Sequence, residues 1–257
     1  MKVLFMGGTS YIGKEIIKRL KARGGYEITI IYRDSSIAGI GPQDIVFNLV
    51  VDYGKNNKPL GEVLAANVDY PLEKIKQIQC KTVINFSTAL EKEVSHYAYS
   101  KKILEEKLFE LDQQVLNLRL QHFYGPGTPE HNFVTYLVTK MLKGEELSLT
   151  DCQQKRDFIY LDDLLDAVLL IIEKRDQLGL KETIEIGSGV ALKLQEFVEE
   201  IKHLTQSQSQ LLYGAVARRL NEPAELKADI SKLQSLGWGP KVSIREGLAE
   251  TIKHFRN

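Results

Sequence analysis

Two observations carry the fold class that this 257-residue sequence predicts, an α/β protein with a doubly wound parallel sheet of the Rossmann type. The first is the opening stretch. The apolar run Val3-Leu4-Phe5-Met6 breaks into Gly7-Gly8-Thr9-Ser10-Tyr11-Ile12-Gly13, after which Ile12, Ile16, Ile17 and Leu20 recur at helical spacing. The second is the recurrence of short apolar runs, at 26–32, 44–51, 83–88, 115–120 and 183–187, between amphipathic segments. The length allows a sizeable core, as one large domain or one domain with a small appendage. The 34 basic and 34 acidic residues cancel, which leaves no global field to attract nucleic acid or an anionic membrane. An anionic ligand must then be held by a few local cations. The apolar run before Gly7 is too short for a signal peptide, and no run approaches the roughly 20 apolar residues of a membrane span. Cys80 and Cys152 lie far apart without CxxC spacing, so neither a disulfide framework nor a metal site is expected. A soluble protein of the cytoplasm is the expectation.

In chain order, the glycine turn comes first. Glycine permits a tight turn and a close backbone approach, and the helix that follows offers N–H groups and a positive dipole end to a pyrophosphate. A lone turn of this kind is weak evidence, but its place between a strand and an amphipathic helix strengthens it. The second strand, 26–32, ends in Arg33-Asp34. A guanidinium there favours the 2′-phosphate of NADP and a carboxylate the free hydroxyl of NAD, so Arg33 tilts the expectation to NADP(H) and Asp34 keeps NAD(H) open. Only a short gap follows before Asp44–Val51, too short for another helix and strand. One edge strand of the usual nucleotide-binding half is therefore expected to be missing, a loss that breaks no central ladder. The polar stretch Asp52 to Lys58 lies where open α/β sheets place ligands. Leu60 to Ile78 is helical in spacing with a break or kink at Pro71, and Asn67 on its apolar face reads as a satisfied structural asparagine.

The stretch Val83 to Lys101 holds the chemistry. If 83–88 is a buried strand and Tyr97 opens a helix, Tyr97 and Lys101 are i,i+4 neighbours with the Thr88 hydroxyl at a strand end opposite them. A phenol, an ammonium and a hydroxyl so placed can move a proton on or off a carbonyl or alcohol oxygen. Spacing alone does not select this pair, because Tyr70/Lys74 and Tyr136/Lys140 repeat it. Only Tyr97 follows a Ser-Thr strand end and starts an amphipathic helix. A free phenol with pKa about 10 is a poor base, and the nearby Lys101 ammonium is expected to lower it.

With these residues in view the chain resembles the extended short-chain dehydrogenase/reductases, of the NAD-dependent epimerase/dehydratase kind, that act on nucleotide sugars. Met6–Gly13 matches their TGGxGxIG loop with Ser10 for the middle glycine, and Asp44–Leu49 looks like their DVVFHL strand. Asn117–Pro126 and Gln154–Asp163 are close to their LRxxxxYGP and RDFIYxDD motifs. Within the family these stretches look most like the reductases that make CDP-linked 3,6-dideoxyhexoses, the abequose and paratose synthases. The resemblance implies catalytic Thr88, Tyr97 and Lys101. It implies a cofactor site of Gly7, Thr9, Ser10, Tyr11, Ile12, Arg33, Leu49 and Phe123, with Tyr97 and Lys101. For the substrate it implies Asn132, Arg156, Arg219 and Glu222 beside Thr88. It divides the chain into a dinucleotide-binding domain, 1–125, and a mainly nucleotide-sugar-binding subdomain, 126–257, with segments near 151–187 returning to the core. Thr88 lies only nine residues before Tyr97, where the family has a longer sugar-contacting loop.

For Arg156 a simple pairing with Asp157 is the competing role, and Phe123-Tyr124-Gly125-Pro126-Gly127 by itself is only a turn that ends the strand at 115–120. Asp162-Asp163 is expected to cap the helix after it. The activity expected is NADP-preferring reduction of the 4-keto group of a CDP- or dTDP-linked deoxyhexose. The rivals are an NAD-dependent 4-epimerase or dehydratase on the same scaffold, and a non-catalytic dinucleotide-binding protein. Family members are commonly homodimers, an expectation to which no charge or apolar pattern in this sequence adds.

Overall fold

The computed structural model describes residues 1–256. The N-terminal apolar run forms β1 (Lys2–Met6), and the helical stretch after the glycine turn forms α1 (Tyr11–Arg23). Ser10 starts that helix by accepting the Gly13 N–H on its hydroxyl at 3.2 Å. The chain continues through β2 (Glu27–Ile31), β3 (Gln43–Asn48), α2 (Leu60–Leu64), a π-helical turn (Ala65–Asp69), α3 (Tyr70–Gln77), β4 (Cys80–Thr88), α4 (His96–Phe109) and β5 (Gln114–Leu120). Then follow β6 (His122–Tyr124), α5 (Phe133–Leu142), β7 (Leu147–Ser148), β8 (Lys155–Tyr160), α6 (Leu161–Lys174) and β9 (Lys181–Ile186). The last elements are β10 (Ala191–Lys193), α7 (Leu194–Thr205), β11 (Leu211–Leu212), β12 (Glu225–Leu226), α8 (Ser231–Ser235) and α9 (Ile244–Arg256).

Two compact units result, Met1–Leu120 with Ile171–Ile184, and Gln121–Leu170 with Glu185–Asn257. The main sheet runs β2-β1-β3-β4-β5-β9, and every ladder from β2 through β5 is parallel. The strand order reverses beside β1, the switch point where open α/β sheets bind ligands at strand C-termini. Residues 32–42 hold no strand, so β2 is the edge and the sheet lacks the strand that would lie outside it. β1, β3, β4 and β5 are buried on both faces, which is why they read as continuous apolar runs. Their inward residues Leu4, Met6, Val46, Val83 and Val115 join Ile75 of α3 and Leu104 and Leu108 of α4 in one cluster. Each such side chain contributes roughly 1.5–3 kcal/mol by leaving water.

In the second unit β8 is the centre of a small mixed sheet, antiparallel to β10 and parallel to β12 and β6. Phe158 of β8 stacks on Phe197 of α7 at 3.7 Å between ring centroids, inside a cluster that α5, α7 and α9 complete.

Several local expectations need correction. Phe123 lies in strand β6 rather than in a turn, because that segment pairs with β8. Asp162 and Asp163 lie inside the first turn of α6 rather than ahead of it, and Asp163 also has partners elsewhere. Its buried carboxylate accepts the Lys241 and Val242 N–H groups at 3.1 and 3.0 Å and so ties down the chain leading to α9. The helix does not break at Pro71: the π-helical turn Ala65–Asp69 runs directly into α3, with Pro71 as the second residue of α3.

Candidate functional site

The glycine turn fits the phosphates of a dinucleotide. Gly7 has φ +77, and a Cβ there would meet the Leu49 carbonyl carbon at 2.7 Å and its oxygen at 2.8 Å. Only glycine lets the ends of β1 and β3 approach so closely. A Cβ on Gly13 would lie 2.9 Å from the Gly7 oxygen, so the first turn of α1 packs directly on the loop. Ser10 takes the place of the family's middle glycine without strain, because its φ is −62 and its hydroxyl is the helix cap. The first turn of α1 has no acidic residue to offset the positive end of its dipole. Thr9 is exposed, while Tyr11 and Ile12 are half-buried on that turn. At the end of β2, exposed Arg33 places its guanidinium carbon 6.0 Å from the centre of the Tyr70 ring, and the Tyr70 hydroxyl donates to the Tyr32 carbonyl at 3.2 Å.

Thr88, Tyr97 and Lys101 belong to the same unit and converge. β4 delivers Thr88, buried at its last position, and Ser95 starts α4 by accepting the Ala98 N–H at 3.1 Å. The Thr88 hydroxyl lies close enough to the Tyr97 phenol to act on its titration. Burial holds the Tyr97 phenol far above its ordinary range, neighbouring Tyr53 adds to that, and the nearby Thr88 hydroxyl opposes it. The expectation that Lys101 would lower this phenol is therefore corrected. The Lys101 ammonium is committed elsewhere, to the Phe86 carbonyl at 2.7 Å and the Val50 carbonyl at 3.0 Å. Burial brings Lys101 itself down to about 8, against the opposing charge of Glu105.

Tyr53 is a site residue that sequence reasoning missed. Its ring centroid lies 5.2 Å from that of Tyr97. The signal was its place in the polar stretch after β3. That stretch is held by Asp52, whose carboxylate accepts Gly54 N–H at 2.9 Å and Lys58 Nζ at 2.5 Å, and whose carboxyl is lowered chiefly by Lys58. Asn67, fully buried in the π-turn, clasps the Asp52 backbone at both its N–H (2.6 Å) and its carbonyl (2.8 Å), and donates to Ser100 of α4 at 2.9 Å.

In the second unit the proposed substrate residues also gather, in part. Arg156 is 3 % exposed and donates to Glu222 at 2.6 Å, so its ion pair is with Glu222 rather than with the neighbouring Asp157. Asp157 is fully buried and accepts the Ser188, Gly189 and Ala228 N–H groups. Beside this pair, Nδ1 of His122 and Oε1 of Gln154 are buried without a hydrogen-bond partner. Burial first, and then the Arg156 charge, hold His122 down at about 4, so its imidazole is neutral. Arg219 is exposed and its charge acts on the same histidine. Asn132 caps α5, accepting from Val134 and Thr135, and donates to the Phe123 carbonyl at 2.8 Å. His122 and Gln154 carried no sequence signal beyond lying inside the two downstream motifs.

A parallel sheet with a glycine cradle at its switch point, a threonine at a strand end, and a tyrosine and a lysine on the helix that follows it is the architecture of a dinucleotide-dependent enzyme. The chain belongs to the NAD dependent epimerase/dehydratase family, whose model matches residues 3–187. It is 31% identical to CDP-abequose synthase from Salmonella muenchen, over 98% of this chain and 97% of that one. Its fold is that of UDP-glucose 4-epimerase from Thermotoga maritima, solved with UDP-glucose, at a TM-score of 0.84 and 23% identity, over 100% of this chain and 99% of the other. The Thermus thermophilus UDP-glucose 4-epimerase complex with NAD superposes with the same TM-score at 21% identity, with the same coverage of the two chains. No helix among the described residues is long and apolar enough to cross a membrane.

Proposed function

We propose that this protein reduces the 4-keto group of a CDP- or dTDP-linked deoxyhexose, with NADP(H) preferred over NAD(H), as a step in making a deoxysugar for surface polysaccharide. The observation that carries this reading is the Tyr97 phenol, kept protonated by burial at the helix start that faces Thr88 at the end of β4. A protonated phenol is a donor, and reduction of a carbonyl needs a proton delivered to the oxygen. The likeness to a CDP-abequose synthase along nearly the whole chain supports the substrate class.

A bound nicotinamide would supply the hydride. Thr88 orients the ketone oxygen and Tyr97 gives it the proton. Lys101, on the same helix face, holds the nicotinamide ribose. Gly7, Thr9, Ser10, Tyr11, Ile12 and Leu49 form the cradle for the dinucleotide, and Arg33 takes its 2′-phosphate. In the second unit Arg156, Arg219, Glu222 and Asn132 serve the nucleotide end of the substrate.

The test is NADPH oxidation by the purified protein with CDP- and dTDP-4-keto-6-deoxyhexoses, alongside Tyr97→Phe. Turnover with NADPH above that with NADH is expected, and Tyr97→Phe should cut kcat by roughly 10²–10⁴ while NADPH still binds. Tightly retained NAD with no net consumption of added cofactor would sink the reductase in favour of an epimerase. Cofactor binding with no turnover on any such sugar would leave only the binding role.

A further inference from the structure

β4 outruns its neighbour. Its ladder with β3 ends at Asn48–Asn85, while its ladder with β5 continues to Thr88–Leu120. Over its last three residues β4 therefore has a strand on one side only. Consecutive lysines of α4 serve that stretch: Lys101 Nζ donates to the Phe86 carbonyl at 2.7 Å, and Lys102 Nζ to the Thr88 carbonyl at 2.9 Å. Both are almost fully buried, at 2 % and 5 % exposed. A buried ammonium is costly unless it is paired and hydrogen-bonded. Glu105 meets that need: it is 5 % exposed, its Oε1 lies 3.8 Å from Lys102 Nζ, and Arg119 of β5 grips it through Nε and Nη2 at 3.1 and 2.6 Å. The Ser87 hydroxyl donates to the same carboxylate. Every residue of the strand end from Phe86 to Thr88 is thus tied to a charged side chain.

We propose that Lys102 is a positioning residue for Thr88, holding its carbonyl so that its hydroxyl stays turned to the Tyr97 side of the strand end, with the Glu105–Arg119 pair keeping the ammonium in place. This rests on the reading that Thr88 and Tyr97 act on a substrate carbonyl. Lys102 acts through the backbone of Thr88, whose carbonyl it holds. The arrangement has a reason in the short connection 89–95, where the Thr88 hydroxyl also accepts the Leu90 N–H at 3.2 Å. A strand end followed at once by a turn has little else to fix it.

The experiment is a double-mutant cycle of Lys102→Met and Thr88→Val in the full chain, with kcat, NADPH affinity and amide exchange at Leu90 measured for each protein. Lys102→Met keeps the side-chain length and leaves Glu105 paired with Arg119. It should lower kcat at least about tenfold with NADPH affinity unchanged, as loss of geometry rather than of binding does. In the Thr88→Val background the same substitution should cost almost nothing more, because its effect runs through Thr88. Leu90 exchange should quicken in Lys102→Met while that of Ala98, held by Ser95, stays as it was. Additive losses in kcat, or Leu90 exchange unmoved by Lys102→Met, would overturn the proposal. If the unmodified protein turns over no nucleotide 4-ketosugar, the functional reading has failed, and Leu90 exchange alone decides whether Lys102 holds the strand end.

Discussion

Lys101 occupies a place that penalises its own charge, and the penalty has a sign in both stability and activity. Burial lowers it from 10.5 to about 8. Below about 8 both folded and unfolded chains hold the proton and the cost of the buried ammonium is carried in full. Between about 8 and 10.5 the unfolded chain binds the extra proton, so stability rises with pH there. Activity runs the other way, because the site needs the ammonium: kcat/KM, which reports the free enzyme, is expected to fall as pH rises past about 8. A pH profile of the wild type flat to beyond pH about 10 would show that Lys101 stays charged in the free enzyme. Tyr53 offers a second test at this scale. Its ring packs on Tyr97, and such a pair contributes about 0.5–1.5 kcal/mol. Tyr53→Ala should cost roughly twofold to tenfold in kcat/KM. Tyr53→Phe, which keeps the ring, should stay near wild type in the same assay.

The π-turn between α2 and α3 shows how an element serves the site without touching chemistry. The extra residue in such a turn widens the helix locally and frees a side chain to reach out of the usual register. Here that side chain is Asn67, whose amide spans from the Asp52 backbone to Ser100 and so ties the Tyr53 loop to the Tyr97 helix. Asn67→Leu strands the Asp52 N–H and carbonyl, each at a cost of about 1–3 kcal/mol. Urea denaturation should register a loss in that range or above. Its activity should fall more than that of an equally destabilised variant in the second unit, because the loop is released.

These examples also mark what the sequence could and could not disclose. β1, β3, β4, β5 and the glycine turn are written as local patterns, and Tyr97 was singled out from three equal spacings by the strand end before it. The missing edge strand was legible as a gap too short to hold it. Asn67, Tyr53, Lys102 and the Arg156–Glu222 pair have partners far along the chain, and no local pattern encodes such a meeting. The behaviour of the Tyr97 phenol was misjudged for the same reason: spacing placed Lys101 near it but could not show the carbonyls of Val50 and Phe86 claiming the ammonium.

Across the whole molecule, the strand ends that make up the site are aligned by a buried polar row. Asn48, Asn85 and Asn117 are in register on β3, β4 and β5 and are fully buried. Asn48 Nδ2 donates to Asn85 Oδ1 and Asn85 Nδ2 to Asn117 Oδ1, each at 2.8 Å. Asn48 Oδ1 also accepts the Val50 N–H at 3.2 Å, which directs the chain beyond β3 towards the carbonyl that Lys101 holds. A one-residue slip of any of these strands would turn an asparagine out of the row and an apolar residue into it, so the row opposes slippage. Its middle member bears most of that role. Asn85→Val strands both the Asn48 amide and the Asn117 carbonyl, whereas Asn117→Val breaks one bond and removes an amide whose Nδ2 already lacks a partner. Chemical denaturation should therefore rank Asn85→Val the more destabilising, by about 1–3 kcal/mol over Asn117→Val. Equal losses in the two variants would mean that the row contributes bulk rather than registered hydrogen bonds, and that the strand ends are aligned by apolar packing alone.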